Sequence, residues 1–145
     1  MTTRGRPSAI LFACTMNAVR SPLAAGLARQ LLGQGVFIRS AGVRRGEPDG
    51  FAIEVAREVG IDLSQHEAHS FDDLQDHFFD IVIALSPEAE AFAREWTRVT
   101  DCAVEYWPIL DPTTVEGSRE NRLAAYRALR EQLRGKIMAR FTAQG

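Results

Sequence analysis

Apolar residues along this chain follow two alternating patterns. Compact runs at residues 9–14, 80–85 and 103–106, and a run that begins at residues 36–38 and ends in Ser40-Ala41-Gly42, are too short for helices and read as strands. Between them, apolar residues recur at helical spacing. Leu23, Leu27 and Leu31 share one face of a helix predicted over residues 21–32, which Gly33 and Gly35 terminate. Phe51, Val55 and Val59 align in the same way over residues 48–59. Ser86-Pro87-Glu88 is a strong helix start, and that helix is expected to reach residue 96. Tyr126, Leu129, Leu133 and Ile137 mark the buried stripe of a long last helix over residues 118–141. Residues 60–74 show neither pattern and read as a connection with a helical turn near Asp72.

Strands that alternate with helices predict an α/β fold, here a four-stranded parallel sheet with helices on both faces. Ligands of such sheets bind beyond the carboxyl ends of the strands, near a reversal in strand order. The 145 residues suit one domain, expected over residues 9–145 behind a short disordered lead at residues 1–8. A hydrophobic content of 46% and a charged content of 25% are ordinary for a soluble globular chain, and a net charge of −2 implies no nucleic-acid partner. No run approaches a membrane span and the polar start MTTRGRPS lacks a signal core, so no membrane association and a cytoplasmic location are expected. Only two cysteines, Cys14 and Cys102, argue against a disulfide scaffold. No metal-ligand cluster is visible, and no cofactor is expected.

Candidate chemistry concentrates at AILFACTMNAVRSPLAAGL, residues 9–27. A buried strand ends on Cys14, a loop of five residues follows, and then come Arg20, Ser21 and Pro22 at a predicted helix start, with Ser21 in the cap position and Pro22 first in the helix. A helix N-terminus offers unpaired N–H groups and partial positive charge, so it attracts phosphate-like anions. Thiolates are stabilised in the same setting and are competent nucleophiles. Arg20 can hold two oxygens of a tetrahedral oxyanion, while the backbone of Thr15, Met16, Asn17, Ala18 and Val19 can curl into a nest of N–H groups around it. Asn17 is the loop residue best suited to a positive φ. A cysteine on an apolar strand is otherwise just a small buried residue, and C-x5-R alone is a weak signal; the strand before it and the S-P and helix after it give it weight. Asp111, in YWPILDPTT, follows the fourth strand on the same sheet edge as Cys14, where it can supply a leaving-group proton or simply start a turn.

The stretch resembles the active-site loop of the low-molecular-weight protein tyrosine phosphatases, with their C-x5-R-S-P motif after the first strand; thioredoxin-coupled arsenate reductases share that fold and loop. The resemblance extends over nearly the whole chain, through RSAG at residues 39–42, GIDLSQHEA at residues 60–68, the third strand and the D-P loop. It implies a flavodoxin-like sheet and a phosphocysteine mechanism: Cys14 attacks phosphorus, Arg20 and the loop amides hold the phosphoryl oxygens, and Asp111 acts as acid and then base. It further implies that Ser21 donates to the thiolate, that His66 braces Asn17, and that Ser40 supports the loop from behind. The implied partner is a phosphorylated protein or small aryl phosphate.

The chain departs from the family pattern at several places. Met16 stands where the family often has glycine and Val19 where it often has a second cysteine, so Cys14 is expected to over-oxidise readily. Thr113 and Thr114 replace aromatics that grip a tyrosine ring, and Leu85-Ser86 replaces a methionine-aspartate pair. Phosphotyrosine, phosphoarginine and a small ester all stay open as substrates. An arsenate reductase of the thioredoxin-coupled kind needs two further cysteines, and only Cys102 is present; a glutathione-dependent reductase and a phospho-ligand binding module with little turnover remain alternatives. Arg44 and Arg45 are expected to be solvated, Cys102 to be a quiet core thiol, Trp96 and Trp107 to pack the interior, and His69 and His77 to have no role.

Overall fold

The computed structural model describes residues 7–75 and 78–142. Of the expected lead, residues 1–6 lie outside the described residues, as does His77. Ser8 is anchored: its N–H donates to Asp80 Oδ2 at 2.6 Å and its carbonyl accepts from Phe37 N at 2.8 Å.

Four strands, β1 (Ala9–Cys14), β2 (Phe37–Gly42), β3 (Ile81–Ala84) and β4 (Ala103–Tyr106), form one parallel sheet in the order β2-β1-β3-β4. β1 is central, fully buried and apolar along its length, as a strand covered on both faces must be. The helices are α1 (Arg20–Leu32), α2 (Gly50–Arg57), α3 (Pro87–Trp96) and α4 (Arg119–Phe141). Alternation along β1 sorts two cores. Ile10, Phe12 and Cys14 face α1 and α4, with α2 packed beside them, while Leu11 and Ala13 face α3 and the turn at Phe71–Leu74. The predicted α/β class, strand arrangement and two-sided covering are therefore present.

The differences from expectation are local. α1 begins one residue early, at Arg20 behind Val19, and Ser21 is not its cap; the Ser21 hydroxyl is turned inward to Cys14 instead. α2 is shorter than residues 48–59, because Asp49 rather than Pro48 fixes its start by accepting from Ala52 N at 3.0 Å, and the chain turns through Gly60 at φ 85°. β2 starts at Phe37 rather than at Val36. Ser86 and Ser118 cap α3 and α4 as their sequences require. The connection at residues 60–74 does contain its helical turn, closed by a reciprocal Ser70–Asp73 capping box.

Strand order reverses between β1 and β3, since β2 lies on one side of β1 and β3 on the other. The crevice at the carboxyl ends of these two strands is where such sheets bind ligands, and Cys14 is the last residue of β1. Trp107 packs in the interior, edge-on to Phe12 with ring centroids 6.2 Å apart. Trp96 packs against Phe71 in the other core. Among the described residues no helix is long and apolar enough to cross a membrane.

The α4 stripe is what closes the larger core, and Leu129 is inaccessible within it. Replacing Leu129 with Ala is expected to cost about 3 kcal/mol, read as a lowered urea midpoint without a change in slope.

Candidate active site

The loop between β1 and α1 is shaped from three sides. Its carbonyls are taken by the segment after β2: Val43 N donates to Cys14 O at 3.1 Å, Arg44 N to Thr15 O at 2.9 Å and Gly46 N to Met16 O at 2.7 Å. The N–H groups of residues 15–20 donate to no main-chain carbonyl outside the helices and strands among the described residues. Gly42 permits this close approach, because a Cβ there would lie 2.6 Å from Asn17 N and 2.8 Å from Met16 C.

Asn17 is the pivot. It is fully buried and sits at φ 54°, the left-handed region that asparagine tolerates better than most residues. Its Nδ2 donates to Ser21 Oγ at 2.8 Å and Ser40 Oγ at 2.9 Å, and its Oδ1 accepts from His69 N at 2.8 Å. His66 Nε2 lies 3.2 Å from Asn17 O, so that ring nitrogen must carry the proton to donate to it. Burial chiefly, with the His69 and Arg29 charges, holds His66 below the ordinary histidine range despite that bond.

Cys14 Sγ lies at the floor of the loop, 2.9 Å from Ser21 Oγ and 3.4 Å from Ser21 N. Asn17 Nδ2 donates into the same hydroxyl, which leaves the Ser21 proton to the sulfur or to Ala41 O at 3.3 Å. Thr15 Oγ1 is 3.0 Å from Ser86 Oγ, the α3 cap, and this bond joins the loop to the β3 side of the crevice.

Arg20 spans the crevice. Its Nη1 donates to Leu85 O at 3.2 Å, and its Nη2 is 3.8 Å from Asp111 Oδ2. Asp111 does start a turn, and its Oδ1 accepts from Thr113 N at 3.0 Å and Thr113 Oγ1 at 2.6 Å. The turn pins one carboxylate oxygen and leaves the other facing the Arg20 guanidinium.

The structure thus brings Cys14, Arg20, Asp111, the residues 15–19 backbone, Ser21, Ser40 and His66 to one edge. Met16 and Ala18 contribute backbone there, and Val19 packs into the core. Arg44 and Arg45 are exposed and bidentate on Glu88 and Asp73, which lie below the usual carboxylate range mainly through those bonds, Asp73 at about 2. Cys102 lies at the other end of the sheet, where burial and then the Asp80 charge push its thiol up to about 11. Among the described residues no three His, Cys, Asp or Glu are grouped to hold a metal ion.

Two supports had no sequence signal. His69 acts through its main chain, which any residue type supplies. Tyr126, buried on α4, donates to Asp49 Oδ2 at 2.9 Å, and burial together with that carboxylate drives its phenol well above the usual range.

A family profile for the low molecular weight phosphotyrosine protein phosphatases matches residues 9–144. The chain belongs to that family. Its relatives carry two kinds of activity in their names. An arsenate reductase of Bacillus licheniformis is 32% identical over 138 residues, covering 94% of this chain and 96% of that protein. The YwlE arginine phosphatase from Geobacillus stearothermophilus has a TM-score of 0.74 at 28% identity, covering 90% of this chain and 88% of its own. The Erwinia amylovora tyrosine phosphatase AmsI has the same TM-score at 22% identity, with 95% and 93% covered, and shares the fold.

Replacing Asn17 with Ala removes three side-chain hydrogen bonds and leaves a β-carbon residue at positive φ; a loss of at least about 3 kcal/mol is expected in chemical denaturation. His66 carries a pH signature. Because its proton is disfavoured in the folded state, stability is full above the ordinary value of about 6.5 and is lost as pH falls through that value towards the lower folded one. A His66→Gln variant, which keeps an N–H donor, is expected to show a shallower loss over that window.

Proposed function

We propose that this protein is a phosphomonoesterase of the protein-phosphatase kind, working through a phosphocysteine on Cys14. The observation that carries the reading is the set of groups at this edge of the sheet: Ser21 donors on the Cys14 sulfur, and the Arg20 guanidinium with an Asp111 oxygen 3.8 Å from it.

In the first step the Cys14 thiolate attacks phosphorus opposite the ester oxygen. The S–P bond forms, the P–O bond breaks, and Asp111 gives its proton to the departing oxygen. Charge gathers on the phosphoryl oxygens, where Arg20 and the N–H groups of residues 15–20 offer donors already in place. In the second step Asp111 takes a proton from water as that water attacks phosphorus. The S–P bond breaks and the electron pair returns to sulfur, where the Ser21 hydroxyl stabilises it. Thr113, in the place of a family aromatic, orients the acid by binding Oδ1 from two donors.

Arsenate is a tetrahedral oxyanion that fits the same cradle, and the 32% identity to an arsenate reductase supports a second reading. Reduction of arsenate needs two electrons from thiols. In register, Cys102 precedes the row Ile10–Ile81–Ala103, whereas Cys14 lies four residues past it. At about 3.3 Å per residue that is roughly 16 Å along the strands, against a limit of about 7 Å between Cα atoms for a disulfide. An internal relay between these two cysteines is therefore disfavoured, and a reductase would require an external thiol such as glutathione.

The test is hydrolysis of p-nitrophenyl phosphate. Cys14→Ser is expected to abolish turnover and Asp111→Asn to lower kcat by about 100-fold or more. Wild-type protein that binds phosphate without turning over the ester contradicts the reading, and arsenate-dependent consumption of glutathione in place of hydrolysis favours the reductase. With Val19 beside it in place of a thiol, Cys14 is also expected to lose activity irreversibly to peroxide; full recovery on adding dithiothreitol would count against that.

A further inference from the structure

Most of the described arginines stand within ion-pair distance of a carboxylate, as Arg44, Arg45, Arg127 and Arg130 do. Arg29 and Arg39 have no such pair among the described residues. They come together instead on one oxygen: Arg29 Nη2 donates to Ile38 O at 2.7 Å and Arg39 Nη1 to the same atom at 3.0 Å. Two nitrogens bound to one oxygen at those lengths lie less than about 6 Å apart, a spacing at which like charges repel. Burial of the Arg29 guanidinium and the Arg39 charge both hold Arg29 below the usual arginine range.

The two side chains border a cavity of about 300 Å³ with Gly33, Gln34 and Phe37, on the outer edge of β2. The Arg39 guanidinium lies 4.2 Å from the centre of the Phe37 ring, which fixes its plane. Each guanidinium has five N–H donors, and the Ile38 carbonyl occupies one from each. Covering that edge carbonyl requires one donor. A second cation adds repulsion there unless something negative joins them.

We propose that the cavity between Arg29 and Arg39 binds a phosphate-type oxyanion, at a site separate from the Cys14 loop. A tetrahedral oxyanion matches two converging guanidinium forks, which bind such oxygens in pairs. It also offsets the like-charge repulsion between the two guanidinium groups. The ligand is either free phosphate or a phosphoryl group carried on a protein. Arg39 is three residues before Gly42, the register partner of Cys14, which puts the site about 10 Å back along β2 from the loop.

Side-chain NMR of the arginine Nε–H groups in labelled wild-type protein tests this directly and needs no variant to fold. Inorganic phosphate and a phosphoserine peptide are titrated separately. The Arg29 and Arg39 signals are expected to shift together and saturably, and to do so equally in Arg20→Ala protein, which lacks the loop guanidinium. Saturation by inorganic phosphate at the lower concentration identifies the free anion as ligand; saturation by the peptide at the lower concentration identifies a protein-borne group. Arg39→Gln is expected to weaken the binding read at the Arg29 signal at least tenfold while the Arg20 signal still responds. No saturable shift at Arg29 and Arg39 with either probe up to tens of millimolar, or a shift that disappears in Arg20→Ala, overturns the proposal. Because Arg20 reports on the catalytic loop in the same spectra, failure there is distinguishable from failure here.

Discussion

A buried asparagine held in a left-handed backbone conformation governs the shape of the loop between β1 and α1. Asn17 makes its side-chain bonds to Ser21, Ser40 and the His69 main chain, and its own carbonyl is met by His66. Those partners come from α1, β2 and the connection after α2, so three separate parts of the chain meet on one residue. A buried polar network of this kind is rigid when every member is satisfied and costly when one is lost. Turning the chain at Asn17 commits the loop carbonyls to residues 43–46 and leaves the loop N–H groups without a main-chain partner among the described residues.

The sheet then sets what that crevice can contain. Because β1 lies between β2 and β3, its end is reached by loops from both sides: the segment after β2 ties off the carbonyls, and the segments after β3 and β4 bring Ser86 and Asp111. The Arg20 guanidinium lies between the sulfur side and the carboxylate side. In the proposed hydrolysis a phosphoryl group at this edge would engage all three groups, and holding them together there is its physical basis.

The sequence pattern located what depends on local chemistry. The runs and period of apolar residues identified the four strands and α1, α2 and α4, because burial on one or both faces leaves that trace, and the Ser86-Pro87-Glu88 start identified α3. A positive φ at Asn17 was legible since few side chains tolerate it. Ser21 was misplaced as a cap, because its hydroxyl had two outlets and tertiary contacts chose the inward one. His69 and the Asp49–Tyr126 bond were invisible; a main-chain donor has no residue signature, and a pairing across 77 positions leaves no local pattern. Thr113 was legible as a departure from the family, yet its bond to the Asp111 carboxylate emerged only from the turn geometry.

The account rests on a covalent bond between phosphorus and Cys14. Asp111→Asn protein removes the base for the second step, while p-nitrophenolate leaves without help from an acid, so the intermediate should build up in it. Acid-quenching that variant during turnover and mapping its peptides by mass spectrometry tests the claim most directly. The account predicts one phosphoryl group per chain, on the peptide that contains Cys14. Continued release of p-nitrophenol with that peptide unmodified, or with the phosphoryl group on another residue, would contradict it.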